Sequence, residues 1–198
     1  MVRISLADYG VGNLHSIQKA LEGRGAKVTV VEDMRELLDA ECIVLPGVGA
    51  FTKTMERLLP CREELVEKLL DGTPCLGICI GAQILYEGSD EGDSPGLGLI
   101  TGRVVDLKAD VVPHMGWNWV ESADPLLEGI ESRYFYFAHS YHGQPDEDVV
   151  VGTTEYGTRF PALVRKANTY GSQFHPEKSS TSGMRLLANF IEFAEGCL

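Results

Sequence analysis

A chain of 198 residues, 44% hydrophobic and 23% charged, has the composition of an ordinary globular protein and enough length to close one substantial core without requiring a second domain. Its formal charge of −12 argues against a nucleic-acid surface, which needs clustered Lys and Arg, although the RKANTYG segment at 165–171 and Arg185 remain able to face an anionic partner or substrate. The opening MVRISLADYG lacks the basic region and longer apolar core of an export signal, and no stretch approaches a membrane span, so a cytoplasmic protein is expected.

In chain order, VRISLAD (2–8) reads as a strand and NLHSIQKALEGRG (13–25) as a helix whose Leu14, Ile17 and Leu21 share one face. KVTVV (27–31) and ECIVLP (41–46) are further strands, separated by the small helical pattern MRELLDA. After the turn PGVGAF comes helical sequence interrupted at Pro60 and resumed as CREELVEKLLDG. PCLGI (74–78) is a short strand, and Cys79 begins a helical stretch, CIGAQILYEG. This alternation predicts a parallel sheet with crossover helices. The second half is β-rich, with runs at 96–108, 133–143, 148–157 and 160–175 separated by Gly, Pro and Asp, which predicts an antiparallel extension or a mixed sheet. An amphipathic helix, SGMRLLANFIEFAEG (182–196), closes the chain with Leu186, Leu187, Phe190 and Ile191 in the core. With no repeat or linker, one domain over residues 1–198 is expected.

The five cysteines, Cys42, Cys61, Cys75, Cys79 and Cys197, include no CxxC pair and read as free thiols. Cys79 is set apart by its surroundings. It follows a short apolar strand between Gly77 and Gly81, and such glycines allow a tight strand-to-helix turn and close approach of a substrate. A helix start also favours a thiolate and offers backbone N–H groups to an oxyanion. A buried core cysteine is the plainer alternative.

A thiol that attacks a carboxamide needs a base, and the base needs an orienter. Of the five histidines, His175 alone sits at a strand end with a carboxylate two positions on, in QFHPEKS; in extended backbone Glu177 points the same way. A strand terminus with a surface glutamate would look the same. The glycines of PGVGAF (46–51) allow the N–H of Val48 or Gly49 to face a tetrahedral oxyanion, or form a simple turn. GVGNLHSI (10–17) lacks the complete GxGxxG spacing, so a nicotinamide site is rejected, and the histidines have no tight metal-ligand spacing. The run YFYF (134–137) is most simply core packing.

Together, GICIGAQ, the downstream QFHPEKS and the upstream LPGVGAF resemble the class I glutamine amidotransferases. The resemblance implies a flavodoxin-like α/β fold with a mixed central sheet, a triad of Cys79, His175 and Glu177, substrate contact at Gln83, an oxyanion strand at Gly47, Val48 and Gly49 assisted by Ile80, and no cofactor or metal. ADYGVGNLHS, PHMGWNWV and YFYFAHSYHG narrow it to the glutaminase subunits of imidazole glycerol phosphate synthases. Those subunits send ammonia to a separate (β/α)8 cyclase, and the glutaminase of pyridoxal phosphate synthase is the alternative. The narrower likeness implies backbone contacts to glutamine from His139, Ser140 and Tyr141, and a docking face near Asn13, Met115, Trp117 and Trp119. Read from composition alone, the two tryptophans are as readily core. Ile80 and Ala82 stand where relatives often carry Leu and Met, a packing change beside the nucleophile.

Overall fold

The computed structural model describes residues 1–12 and 14–198. Five strands build its parallel region: β1 (Arg3–Ala7), β2 (Lys27–Val31), β3 (Cys42–Leu45), β4 (Cys75–Ile78) and, from much later in the chain, β13 (Thr169–Ser172). Beyond β13 the sheet turns antiparallel through β12 (Thr158–Lys166), β11 (Val150–Tyr156) and the two-residue β8 (Glu121–Ser122). The strand order is β2-β1-β3-β4-β13-β12-β11-β8, so one domain carries a mixed central sheet, as the sequence leads one to expect.

Alternation along the central strands divides the core in two. On β3, Cys42 and Val44 face one apolar cluster while Ile43 and Leu45 face the other. The first cluster is closed by α1 (His15–Glu22) and α5 (Ser180–Cys197), whose Ile17, Leu21, Leu186, Leu187, Phe190 and Ile191 are buried as their spacing requires. The second is closed by α2 (Phe51–Leu58) and α3 (Arg62–Leu70). Pro60 lacks an N–H, and the chain passes between these helices through a 3-10 turn at Leu59–Cys61.

The chain departs from the expected elements around residue 85. The helix after Cys79, α4 (Ile80–Gln83), has a single turn, and the chain then straightens into β5 (Tyr86–Ser89). The carbonyls of Ile84, Leu85 and Glu87 accept hydrogen bonds from the N–H groups of Leu97, Ile100 and Gly96, long-range partners that displace further helix. β5 pairs with β6 (Ile100–Asp106), which pairs with β10 (Tyr141–Pro145).

The expected run 133–143 is likewise two strands, broken at Ser140. Its first part, β9 (Tyr134–His139), pairs instead with β7 (His114–Trp119) in a separate two-stranded ribbon. On β9 the YFYF run alternates: Phe135 and Phe137 are buried, Tyr136 is half-buried and Tyr134 is exposed, so only half of it is core.

Candidate active site

Cys79 lies between β4 and α4 with φ 50° and ψ −108°, a backbone conformation that residues with a side chain rarely adopt. Its N–H donates to the Ser172 carbonyl at 2.7 Å, and its own carbonyl accepts from Ala82 and Gln83, which ties the elbow to β13 on one side and to α4 on the other. The flanking glycines are sterically required, because a Cβ on Gly77 would collide with the Gly81 carbonyl and one on Gly81 with the Leu45 carbonyl. A helix dipole contributes little at Cys79, since α4 is only one turn long. What remains is local: the N–H of Ile80, in the first helical position, has no acceptor within the helix.

His175 is 3% exposed and its Nδ1 donates to Glu177 Oε1 at 2.8 Å, which leaves Nε2 toward Cys79. The carboxylate arrives by a route other than the extended backbone expected. Pro176–Lys178 forms a 3-10 turn, and the turn folds Glu177 back onto the ring. The other oxygen, Glu177 Oε2, is buried with no partner among the described residues. Burial works against a charged ring here, but its hydrogen bonds to Cys79 and Glu177 and their charges outweigh it and raise the His175 pKa to about 9. Gly47 stands at the meeting point. A side-chain carbon built there would lie 2.8 Å from His175 Cε1 and 3.0 Å from Cys79 Cβ.

These groups open on a cavity of about 360 Å³, a volume suited to a small metabolite. Of the residues singled out in the sequence, Gly47, Gly49, Ile80, Gln83, His139, Ser140 and Tyr141 line it with Cys79 and His175, and Met115 stands on its wall. Val48 does not line the cavity; its side chain packs toward the backbone of Gly12. Trp117 and Trp119 also lie outside it, and they are 52% and 46% exposed, which rules out the core alternative. The Asn13 assignment falls outside the described residues. Cys42, Cys61 and Cys75 are buried away from the cavity; burial pushes the Cys42 thiol up to about 12 and raises Cys61 and Cys75 as well.

Three further residues were not singled out. Gln173 is 4% exposed, and its Nε2 lies 3.7 Å from Cys79 Sγ while its Oε1 accepts from Gln83 Nε2 at 3.1 Å. Its position two residues before His175 in a strand-end sequence is a signal that would have found it. Glu91, on the cavity wall, accepts from the Phe51 N–H at 3.1 Å, and Lys178 brings a cation to the same wall. A thiol at a strained elbow, an imidazole braced by a carboxylate and a helix N–H without an intrahelical acceptor are suited to nucleophilic attack on a carbonyl carbon.

Known proteins resemble this chain over nearly all of its length. The family model for glutamine amidotransferase class-I matches residues 5–193. A protein of Methanocaldococcus jannaschii named imidazole glycerol phosphate synthase subunit HisH is 48% identical, with 96% of this chain and 98% of that protein covered. Its namesake in Thermococcus kodakarensis is 46% identical over 94% of this chain and 98% of that protein. Among solved structures, one described as a glutamine amidotransferase superposes with a TM-score of 0.75 at 21% identity, covering 96% of this chain and 98% of the other, which supports the fold. The chain therefore belongs to the class-I glutamine amidotransferase family and, within it, groups with the HisH subunits of imidazole glycerol phosphate synthase.

Proposed function

We propose that this chain hydrolyses glutamine to glutamate and ammonia through a thioester on Cys79, and passes the ammonia to a separate (β/α)8 cyclase in the step of histidine biosynthesis that forms imidazole glycerol phosphate and an aminoimidazole carboxamide ribotide. The observation that carries the reading is the placement of His175, paired with Glu177 at 2.8 Å, against a cysteine held at a strained elbow. In the first half-reaction the Cys79 sulfur, its proton handed to His175, attacks the side-chain carbonyl carbon of glutamine. The oxyanion is met by the N–H of Ile80 and by one from the 47–49 strand. His175, whose raised pKa keeps its ring protonated at neutral pH, gives a proton to the amide nitrogen as the C–N bond breaks and ammonia leaves. The same imidazole then takes a proton from water, whose oxygen attacks the thioester; glutamate departs, and the sulfur is left anionic beside the protonated ring as at the start. Glu177 fixes the ring's tautomer and its charge.

Gln83 and the backbone of His139, Ser140 and Tyr141 hold the substrate. The exposed face of the ribbon, with Met115, Trp117 and Trp119, docks the cyclase. Its aromatic character suits a buried interface, for these side chains stand clear of the core and Met115 also lines the cavity. Turnover is expected to stay low until the partner binds, and among the described residues no helix is long and apolar enough to cross a membrane. The pyridoxal phosphate synthase alternative is not favoured, because the relatives reported above carry the other name.

The test is Cys79→Ala assayed with the cyclase. Synthesis from glutamine should vanish while synthesis from ammonium salt continues at the wild-type rate. Surviving glutamine-dependent synthesis would overturn the reading.

A further inference from the structure

His114 and His139 face each other across the ribbon, in register on β7 and β9, on the side opposite Met115, Trp117 and Trp119. Both are buried, at 2% and 5% exposure. His139 Nδ1 lies 2.8 Å from the Tyr141 carbonyl, an acceptor only, so that nitrogen carries the proton. Its Nε2 is then bare and accepts from His114 Nδ1, 3.0 Å away. This leaves His114 Nε2 as an acceptor toward the Asn118 amide at 3.5 Å, an amide anchored on the Glu155 carbonyl at 2.9 Å. Every proton in the chain points the same way, from β7 toward the cavity.

The end of the chain is a fixed point of the site. The Tyr141 carbonyl also accepts from Gln83 Nε2 at 2.9 Å, and the bond from His139 spans Ser140, the bend at which the chain leaves the ribbon and lines the cavity. The His114 ring is clamped between Tyr156, 3.9 Å away and nearly parallel, and Phe137 at 4.8 Å, so its orientation is set by stacking. Burial lowers the pKa of both rings, His114 to about 4 and His139 to about 3, which keeps the pair neutral at ordinary pH.

We propose that His114 and His139 are positioning residues: a buried, tautomer-locked relay through which strand β7, whose outer face carries the exposed tryptophans, holds the Tyr141 carbonyl and the Gln83 side chain in their substrate-binding places. Neither ring exchanges a proton during turnover. They act by geometry, because a ribbon that shifts moves His114, and His139 then loses the donor that orients it. The interpretation of the kinetics rests on the glutaminase reading above, whereas the tautomers do not.

Two measurements decide it. Nitrogen-15 imidazole spectra of the folded chain should show protonated Nδ1 and bare Nε2 on both His114 and His139, the tautomer less favoured by histidine free in water. An Nε2-protonated form of either ring would overturn the relay, whether or not the protein hydrolyses glutamine. His114→Phe keeps the stack between Tyr156 and Phe137 but removes the donor. With the cyclase present it should raise the KM for glutamine about fivefold to tenfold, the loss expected for one buried hydrogen bond, with synthesis from ammonium salt unchanged. His114→Asn, which restores an N–H near the same place, should recover most of the KM. An unchanged KM in a folded His114→Phe protein, or a fall in ammonium-dependent synthesis of the same size, would refute the proposal.

Discussion

His175 and His139 are buried almost equally, at 3% and 5% exposure, yet their affinities for a proton move in opposite directions. Burial alone would lower both. The His175 ring faces a carboxylate and a thiol, and together they raise it to about 9. The His139 ring faces a carbonyl oxygen, which offsets desolvation only in part, and another neutral imidazole, and it falls to about 3. Within one small protein, then, the same side chain at the same depth is suited to carry a proton in one place and to stand as a neutral strut in the other. What separates the roles is the charge of the neighbour and not the degree of burial.

The largest effects are expected where that neighbour is removed from the charged ring. His175→Ala should lower glutamine-dependent glutamate release about a thousandfold, and Glu177→Gln by about ten- to a hundredfold. Glu177→Gln should also draw the alkaline limb of the pH–rate profile toward the ordinary histidine range, because the carboxylate helps hold the ring charged. A profile that stays in place would mean that Glu177 sets orientation only.

The pH dependence of stability tests both sites at once, with opposite signs. His175 has a folded pKa raised from 6.5 to about 9, so its contribution is complete below 6.5 and is lost as pH rises through about 9. His114 and His139 have folded pKa values depressed to about 4 and about 3, so the unfolded chain binds more protons on the acid side. Their contribution is complete above 6.5 and disappears as pH falls through those values. Denaturant titrations should therefore show an alkaline slope that flattens in Glu177→Gln and an acid slope that flattens in His114→Phe. The smallest effect on the fold belongs to the ribbon's outer face. Trp117→Ala should change stability by less than about 0.5 kcal/mol but weaken cyclase binding by about 1–2 kcal/mol, measured by titration calorimetry.

The parallel half of the molecule was legible because its signals are local. The α1 stripe of Leu14, Ile17 and Leu21, the interruption at Pro60 and the glycines around Cys79 each reflect constraints within one or two turns of chain. The pairing of Cys79 with His175 followed from chemical need, and Glu177 from proximity, even though the connecting backbone is a 3-10 turn. The ribbon was not legible to the same extent. Its strands are separated by residues 120–133, and the meeting of His114 with His139 depends on register, which no short window encodes. For the same reason the helical pattern after Gln83 misled: the carbonyls of Ile84 and Leu85 find partners at Leu97 and Ile100. The alternating exposure of YFYF follows from a strand's period of two, but which face stays uncovered is set by what lies beyond it.

Gly47 shows that an omitted group can matter as much as those present. A single methyl at that position would press on both the His175 ring and the Cys79 side chain, so the proposed reaction depends on a place kept open in the backbone. A relative could retain every reacting atom and still be inert if alanine stood at that position. When descendants of such a protein are judged active or extinct, this empty place carries as much information as the nucleophile beside it.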